Sequence, residues 1–183
     1  MVLEGNGEVV QQDGIGEPDQ LQRLWTPYRM AYIRGENRPD AGKGDECPFC
    51  RIPGLTDEEG LIVYRGELAY VVLNLYPYAT GHVMVCPYRH VADYIDTTDA
   101  EAAEMVDLSK RAVRTIQRAS KPEGFNLGMN QGKAGGAGIA AHLHQHVVPR
   151  WLGDQNFMPI IAHTKTLPGL LADTRQLLAE AWE

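Results

Sequence analysis

Apolar residues recur along this chain with two different periods. Residues 61–64, 68–74 and 82–86 are short runs rich in β-branched and aromatic side chains, and Arg65-Gly66-Glu67 makes a turn between the first two. Such runs predict consecutive antiparallel strands. Further on the spacing lengthens: Ala102, Met105, Val106, Ala112, Val113 and Ile116 recur at helical intervals until Lys121-Pro122. Thr98 followed by Glu101 is a capping box at the head of that run, so a long helix with its apolar stripe on the sheet is expected. Residues 125–130 and 142–148 supply two more strands, and residues 168–182 read as a terminal helix started by proline. Leu21, Leu24, Trp25 and Tyr28, interrupted by Pro27, read as an arm packed on the core or on a partner subunit, and residues 36–46 as a charged loop. The sum is an α+β domain with an antiparallel sheet of about five strands, one long helix and a C-terminal helix.

Length and charge narrow the picture. At 183 residues one domain is the default. Residues 1–20, acidic and Gly-rich without an apolar core, read as a flexible tail and neither as a secretion signal nor as a membrane span, leaving residues 21–183 as one domain. A formal net charge of −7, with 24 acidic against 17 basic residues, argues against a nucleic-acid groove. Three cysteines do not make a disulfide framework, and with no export signal a reducing cytoplasm is the expected location.

The candidate chemistry lies late in the chain. His142, His144 and His146 alternate directly after the glycine-rich stretch 132–138. Alternate residues of a strand share a face about 6.6 Å apart, so the three imidazoles would form one row, with Leu143, Gln145 and Val147 facing the other way. Half of the chain's six histidines fall within five positions, and such clusters of ionisable groups mark sites more often than they fill cores. Imidazole is the side chain that serves as nucleophile, proton donor or metal ligand near neutral pH. Glycines let backbone N–H groups approach a phosphate closely without net positive charge.

The run His142-Leu143-His144-Gln145-His146-Val147-Val148 resembles the signature of the histidine triad family of nucleotidyl hydrolases and transferases. Residues 124–132, the glycines and Pro149-Arg150-Trp151 are similar to the phosphate half of that family's active site. Residues 72–77 and Gly81-His82-Val83-Met84-Val85 are similar to its nucleoside half. The resemblance implies that His144 attacks the α-phosphorus of a nucleotide to form a covalent nucleotidyl-histidine, with its other ring nitrogen anchored on a nearby backbone carbonyl. It implies that His146 contacts phosphate oxygens and that Asn74 hydrogen-bonds the ribose. Asn130, Gly132, Ala137 and Gly138 are the expected phosphate contacts; family members commonly carry Gln-Ser or Gln-Thr where this chain has Ala137-Gly138, so backbone donors would have to serve. It further implies a homodimer, or a dimer of dimers, with a sheet continuous across subunits. Leu73 and Leu75 are expected in the core, and His82, at a strand start, in a structural place.

Cys47-Pro48-Phe49-Cys50 is a C-x-x-C, whose spacing lets one tight turn offer two thiolates to a tetrahedral metal. The motif alone also fits a redox pair or two plain cysteines. A redox site wants a strand-to-helix junction, and with Arg51-Ile52-Pro53-Gly54 following, no helix is expected to start cleanly. The family resemblance implies His90 and His142 as the remaining ligands of a closed structural zinc site. Cys86 is expected as a small core residue.

Whole-chain resemblance, carried by residues 20–30, 72–78 and 146–151, leans towards the family's bacterial diadenosine tetraphosphate phosphorylases, with the dinucleotide and inorganic phosphate as substrates. A hydrolase of dinucleoside polyphosphates or adenosine phosphoramidates is the first alternative, and a nucleotide-binding module without turnover the second.

Overall fold

A computed structural model describes residues 2–3, 9–10, 47–152, 154 and 169–183. The arm at 21–34, the loop at 36–46, most of the tail, His163 and Pro168 lie outside the described residues. Within the tail, Val2–Leu3 (β1) pairs antiparallel with Val9–Val10 (β2).

Ile62–Arg65 (β3), Ala69–Leu73 (β4), Val83–Pro87 (β5), Gly124–Met129 (β6) and Gln145–Arg150 (β7) form a five-stranded antiparallel sheet in the order β3-β4-β5-β7-β6. All five residues of β4 are buried, because both faces of the sheet are covered there. On one face Ala69, Val71 and Leu73 meet Val83, Val85, Leu143 and Val147 beneath the helix Asp99–Ser120 (α2). On the other face Tyr70 and Val72 pack with Met84, Cys86, Cys47 and Phe49. The alternation that sends Leu143 and Val147 to the helix side leaves the histidines of the same stretch on the opposite one.

The helix α2 starts as its sequence predicts. The Glu101 N–H donates to Thr98 Oγ1 at 3.2 Å and the Thr98 N–H to Glu101 Oε2 at 2.8 Å, which satisfies two orphan donors of the first turn. It ends at Lys121, which takes the left-handed conformation at φ 47° ahead of Pro122. Met105, Ala112 and Ile116 face the sheet, whereas Val106 is 46% exposed, so that part of the expected stripe is corrected. The C-terminal helix Leu171–Glu180 (α3) begins at Leu171 and not at a proline; Leu170 is its N-cap.

Two further expectations are corrected. A helical turn does form at the C-x-x-C: Pro48–Arg51 (α1) runs straight into a 3-10 turn at Ile52–Gly54. It starts inside the motif, with Cys47 as N-cap and Pro48 at N1, where a proline's fixed φ suits a helix and its missing N–H costs nothing. Strand β7 begins at Gln145, so of the three alternating histidines only His146 is laddered into the sheet, opposite Met84 and Gly128. His142 and His144 sit on the approach to it, where the Leu143 N–H donates to the Val91 carbonyl at 2.7 Å.

Candidate active site and metal centre

His142, His144 and His146 are all buried on the sheet face opposite α2. Their hydrogen bonds to backbone groups, whose roles are fixed, determine where each proton sits. His144 Nδ1 lies 2.8 Å from the His142 carbonyl. A carbonyl only accepts, so Nδ1 carries the proton and Nε2 presents a lone pair. This is the backbone anchor expected for the middle histidine. Burial lowers the pKa of His144, outweighing the opposing effect of that hydrogen bond, and so favours the neutral ring.

The protonation of His146 is set through His82. The Tyr78 backbone N–H donates to His82 Nδ1 at 3.0 Å, so that nitrogen is an acceptor and the His82 proton sits on Nε2. His82 Nε2 lies 2.9 Å from His146 Nδ1. His146 therefore accepts on Nδ1 and carries its own proton on Nε2. Burial, with His144 adding to it, pushes the His146 pKa down to about 4. The Tyr78 ring packs 4.7 Å from His82 and 5.7 Å from His146 between centroids. His82, expected in a structural place, is in direct contact with a histidine of the triad, and Tyr78 is a neighbour without a local signature. The signal that pointed to neither is long-range: 64 positions separate His82 from His146.

Beside His146 opens a cleft of about 340 Å³, lined in part by Tyr78, Asn126, Gly128, Asn130 and Arg150, within the size range of small-molecule sites. Arg150 is held at its end by Asp154, through Nε at 2.6 Å and Nη2 at 2.9 Å, and by Asn126 through Nη1 at 2.9 Å. The glycine-rich stretch forms a turn that needs left-handed backbone at Gly132 (φ 64°) and Gly136 (φ 86°). Within it the Ala137 N–H donates to the Gly132 carbonyl at 3.2 Å, and Ala137 is buried. Gly138 follows, four residues ahead of His142.

Asn74 closes the turn after β4. Its Oδ1 accepts the Tyr76 N–H at 2.9 Å, and its amide nitrogen lies 3.4 Å from His82 Nδ1. Leu73 is buried as expected, but Leu75 is 59% exposed, which corrects its assignment to the core. The strand ends at Leu73, and the side-chain bond from Asn74 to Tyr76 turns Leu75 outward.

The four expected metal ligands come together. One ligand atom from each of Cys47, Cys50, His90 and His142 falls within 4.8 Å of every other. His142 Nε2 lies 2.9 Å from the Pro87 carbonyl, so it carries the proton and leaves Nδ1 unprotonated. That Nδ1 is 3.5 Å from the sulfur of Cys47 and 3.5 Å from that of Cys50, and His90 Nδ1 is 3.2 Å from Cys50 Sγ. The sulfur–nitrogen edge of a tetrahedral zinc site is about 3.5 Å, given Zn–S of about 2.3 Å and Zn–N of about 2.0 Å. Burial also pushes His142 down to about 4, which keeps it neutral, as a ligand must be. The donor set therefore fits a metal. Cys86 is fully buried in the neighbouring core and outside the group.

Residues 56–151 match the family described as the HIT domain. The chain is 53% identical over 172 residues to the protein named AP-4-A phosphorylase of Mycobacterium tuberculosis, covering 92% of this chain and 88% of that one. A hypothetical histidine triad nucleotide-binding protein from Sulfolobus tokodaii superposes with a TM-score of 0.61 at 28% identity, over 74% of this chain and 91% of that one. A zinc-bound histidine triad family protein from Mycobacterium smegmatis superposes with a TM-score of 0.59, again at 28% identity and the same coverage.

Proposed function

As the chain belongs to the HIT domain family, we propose that it is a diadenosine tetraphosphate phosphorylase, converting the dinucleotide and inorganic phosphate to ATP and ADP. The observation that carries this reading is the 53% identity, over nearly the whole chain, to the AP-4-A phosphorylase of Mycobacterium tuberculosis. The chemistry of the site supports it. His144 Nε2, with its partner nitrogen held by the His142 carbonyl, attacks an α-phosphorus of the dinucleotide, and the bridging P–O bond breaks to release ATP. An oxygen of inorganic phosphate then attacks the adenylyl group on His144 Nε2, the P–N bond breaks, and ADP leaves with the enzyme's imidazole restored. His146 donates its Nε2–H to a non-bridging oxygen of the phosphorus in flight, where charge develops.

Asn130, which lines the cleft, and the backbone N–H groups of Gly132 and Gly138 complete the phosphate contacts; Ala137, whose N–H is spent on Gly132, shapes the loop. Asn74 faces the ribose. Cys47, Cys50, His90 and His142 hold a zinc ion, and with four protein ligands its role is structural. A homodimer fits the exposed edge strand β6, with Leu127 51% exposed beside Val106 of α2. A cytoplasmic location agrees with three cysteines that form no disulfide; among the described residues no helix is long and apolar enough to cross a membrane.

Product analysis with diadenosine tetraphosphate, with and without inorganic phosphate, tests the activity. ATP and ADP formed only with phosphate is the expected result. AMP and ATP formed regardless of phosphate would make the protein a hydrolase, and nucleotide binding without turnover would make it a binding module. In the His144→Ala variant turnover should vanish while nucleotide binding persists.

A further inference from the structure

Phe49 lies between the two cysteines of the metal knuckle, and its ring packs on the nucleophile. Its centroid is 4.8 Å from that of His144, with 37° between the planes, and 5.5 Å from that of His142. Phe49 is 4% exposed. The Nδ1–H bond to the His142 carbonyl sets the His144 tautomer, but a bond at one ring atom does not fix the tilt of the ring about it. Packing does that: His146 stands edge-on at 5.0 Å, and Phe49 lies against the ring itself.

Phe49 belongs to the buried cluster of Ile62, Tyr70, Val72, Met84 and Cys86, and the knuckle sets how its ring enters that cluster. The helix α1 has four residues and no side-chain cap, far too short to be stable alone. Besides that packing, its ties include the Tyr70 hydroxyl, which donates to the Phe49 carbonyl at 2.7 Å, and the ligand group formed by Cys47 and Cys50 with His90 and His142. His142 makes a second link, since its Nδ1 faces the thiols while its carbonyl holds His144.

We propose that Phe49 is a positioning residue for His144 and that metal binding at the flanking Cys47 and Cys50 is what keeps it there, so that the metal centre sets the orientation of the nucleophile. This rests on His144 being the nucleophile, as in the function proposed above. Cys47 and Cys50, when they hold an ion, would thereby act on the orientation of His144 through the aromatic side chain that lies between them.

The test compares the wild-type protein, as purified and after treatment with a chelator followed by zinc add-back, with Phe49→Leu, Phe49→Ala, Cys50→Ser and the Phe49→Ala/Cys50→Ser double variant. Metal content, kcat, KM and the imidazole N–H resonances of the substrate-free protein are measured. Phe49→Ala should keep its zinc yet lose on the order of 10- to 100-fold in kcat, the penalty of a misplaced reacting group. Its KM should stay within about twofold, because ground-state binding is untouched. Phe49→Leu should fall between it and the wild type. The His144 Nδ1–H resonance, sharp in the zinc-loaded wild type, should broaden both in Phe49→Ala and after chelation, and sharpen again on zinc add-back. The double variant should be no slower than the slower single one, since both changes act through the same contact. As a control, Ile52→Ala removes a side chain packed on the same core cluster and should lower stability with kcat unchanged.

An unchanged kcat and an unchanged resonance in Phe49→Ala would overturn the proposal, as would strictly additive losses in the double variant. Should the variants fail to fold, the chelated wild type decides it: a resonance indifferent to zinc overturns the coupling. Persistent turnover in His144→Ala is a different failure, that of the nucleophile assignment, and the substrate-free resonance separates the two.

Discussion

His82 Nε2 lies 2.9 Å from His146 Nδ1, and the backbone N–H of Tyr78 donates to the far nitrogen of the same His82 ring. One main-chain donor thereby fixes the tautomers of two side chains and leaves the His146 proton on Nε2. Replacing His82 with leucine removes the donor to His146 Nδ1, so the His146 proton is free to sit on either nitrogen. Turnover of diadenosine tetraphosphate should fall by about tenfold or more, the lower range for a positioned proton donor. The protein should remain folded, with a cost of about 1–3 kcal/mol for the lost buried hydrogen bonds. Steady-state kinetics and a urea melt check both, and an unchanged kcat would remove His82 from the site.

This relay shows what a linear reading of the chain can and cannot deliver. The capping box of Thr98 and Glu101, the turn at Gly66 and the five strands are local patterns, and each lies within a few residues of where periodicity puts it. Cys47 and Cys50 are legible from their spacing, and His90, His142 and the role of the middle histidine only from a motif resemblance; the structure draws the four candidate ligand atoms together. His82, Tyr78 and Phe49 carry no local signature of their contacts with the triad. Phe49 reaches His144 and Tyr78 reaches His146 only because the sheet folds distant segments onto one face. The helical turn at Pro48–Arg51 is hidden in the sequence for a different reason. Pro53-Gly54 reads as a breaker, whereas Pro48 stands at N1 of the helical turn and Pro53 at the second position of the 3-10 segment after it, both in a first turn that tolerates proline.

Glu101 is the junction of the capping box with the loop that carries His90. Its carboxylate accepts the Thr98 N–H and is gripped by Arg89 through Nε at 2.9 Å and Nη2 at 2.6 Å, while Nη2 of Arg89 also donates to the Asp96 carbonyl at 2.8 Å. The Arg89 bonds, together with those from Thr98, hold the Glu101 carboxyl at about 2, well below its ordinary value of 4.5. A carboxylate with a depressed folded pKa stabilises the fold fully above its unfolded value, and that stability is lost as pH falls from about 4.5 towards about 2. The Glu101→Gln variant should lose about 2 kcal/mol at neutral pH, the sum of a weakened cap and a broken charge-assisted pair. The difference from wild type should shrink below pH 4.5. Denaturation midpoints across that range measure it, and a difference independent of pH would contradict the ion-pair account.

His146 gives the opposite half of the acid profile. Its neutral form is favoured in the fold, with a pKa near 4 against an ordinary 6.5. Between those values the unfolded chain binds more protons than the native one, so stability rises with pH across this window and is lost on acidification from 6.5 towards 4. Asparagine at this position does not titrate. The His146→Asn variant should therefore show a shallower loss of stability than wild type between pH 6.5 and pH 4, read from urea midpoints at several pH values. Parallel profiles would mean that His146 is not neutral in the folded protein.

The sheet ends at β6, and its edge is the surface on which the proposed dimer depends. Leu127 is 51% exposed on that strand, and on the same side Val106 and Val113 of α2 form with it an apolar strip in a groove also lined by Ser109, Lys110, Arg114 and Gln145. An exposed edge strand with an apolar side chain is a template for another strand. A second copy turned by a two-fold axis offers the same strand antiparallel to the first and the same groove to the same side chains, so both exposures are covered at once. Scattering measured during size exclusion should give twice the chain mass for the wild type. Leu127→Asp places a charge against its own symmetry mate and should shift the protein to monomer, or raise the dissociation constant at least about a hundredfold, for a cost of about 3 kcal/mol. Leu127 pairs with Val147 on the helix side of β6 and also borders the cleft beside His146, so the activity of the freed monomer shows whether the proposed site is complete in one chain. A monomeric wild type would remove the dimer, while a dimeric Leu127→Asp variant would place the contact elsewhere on the surface.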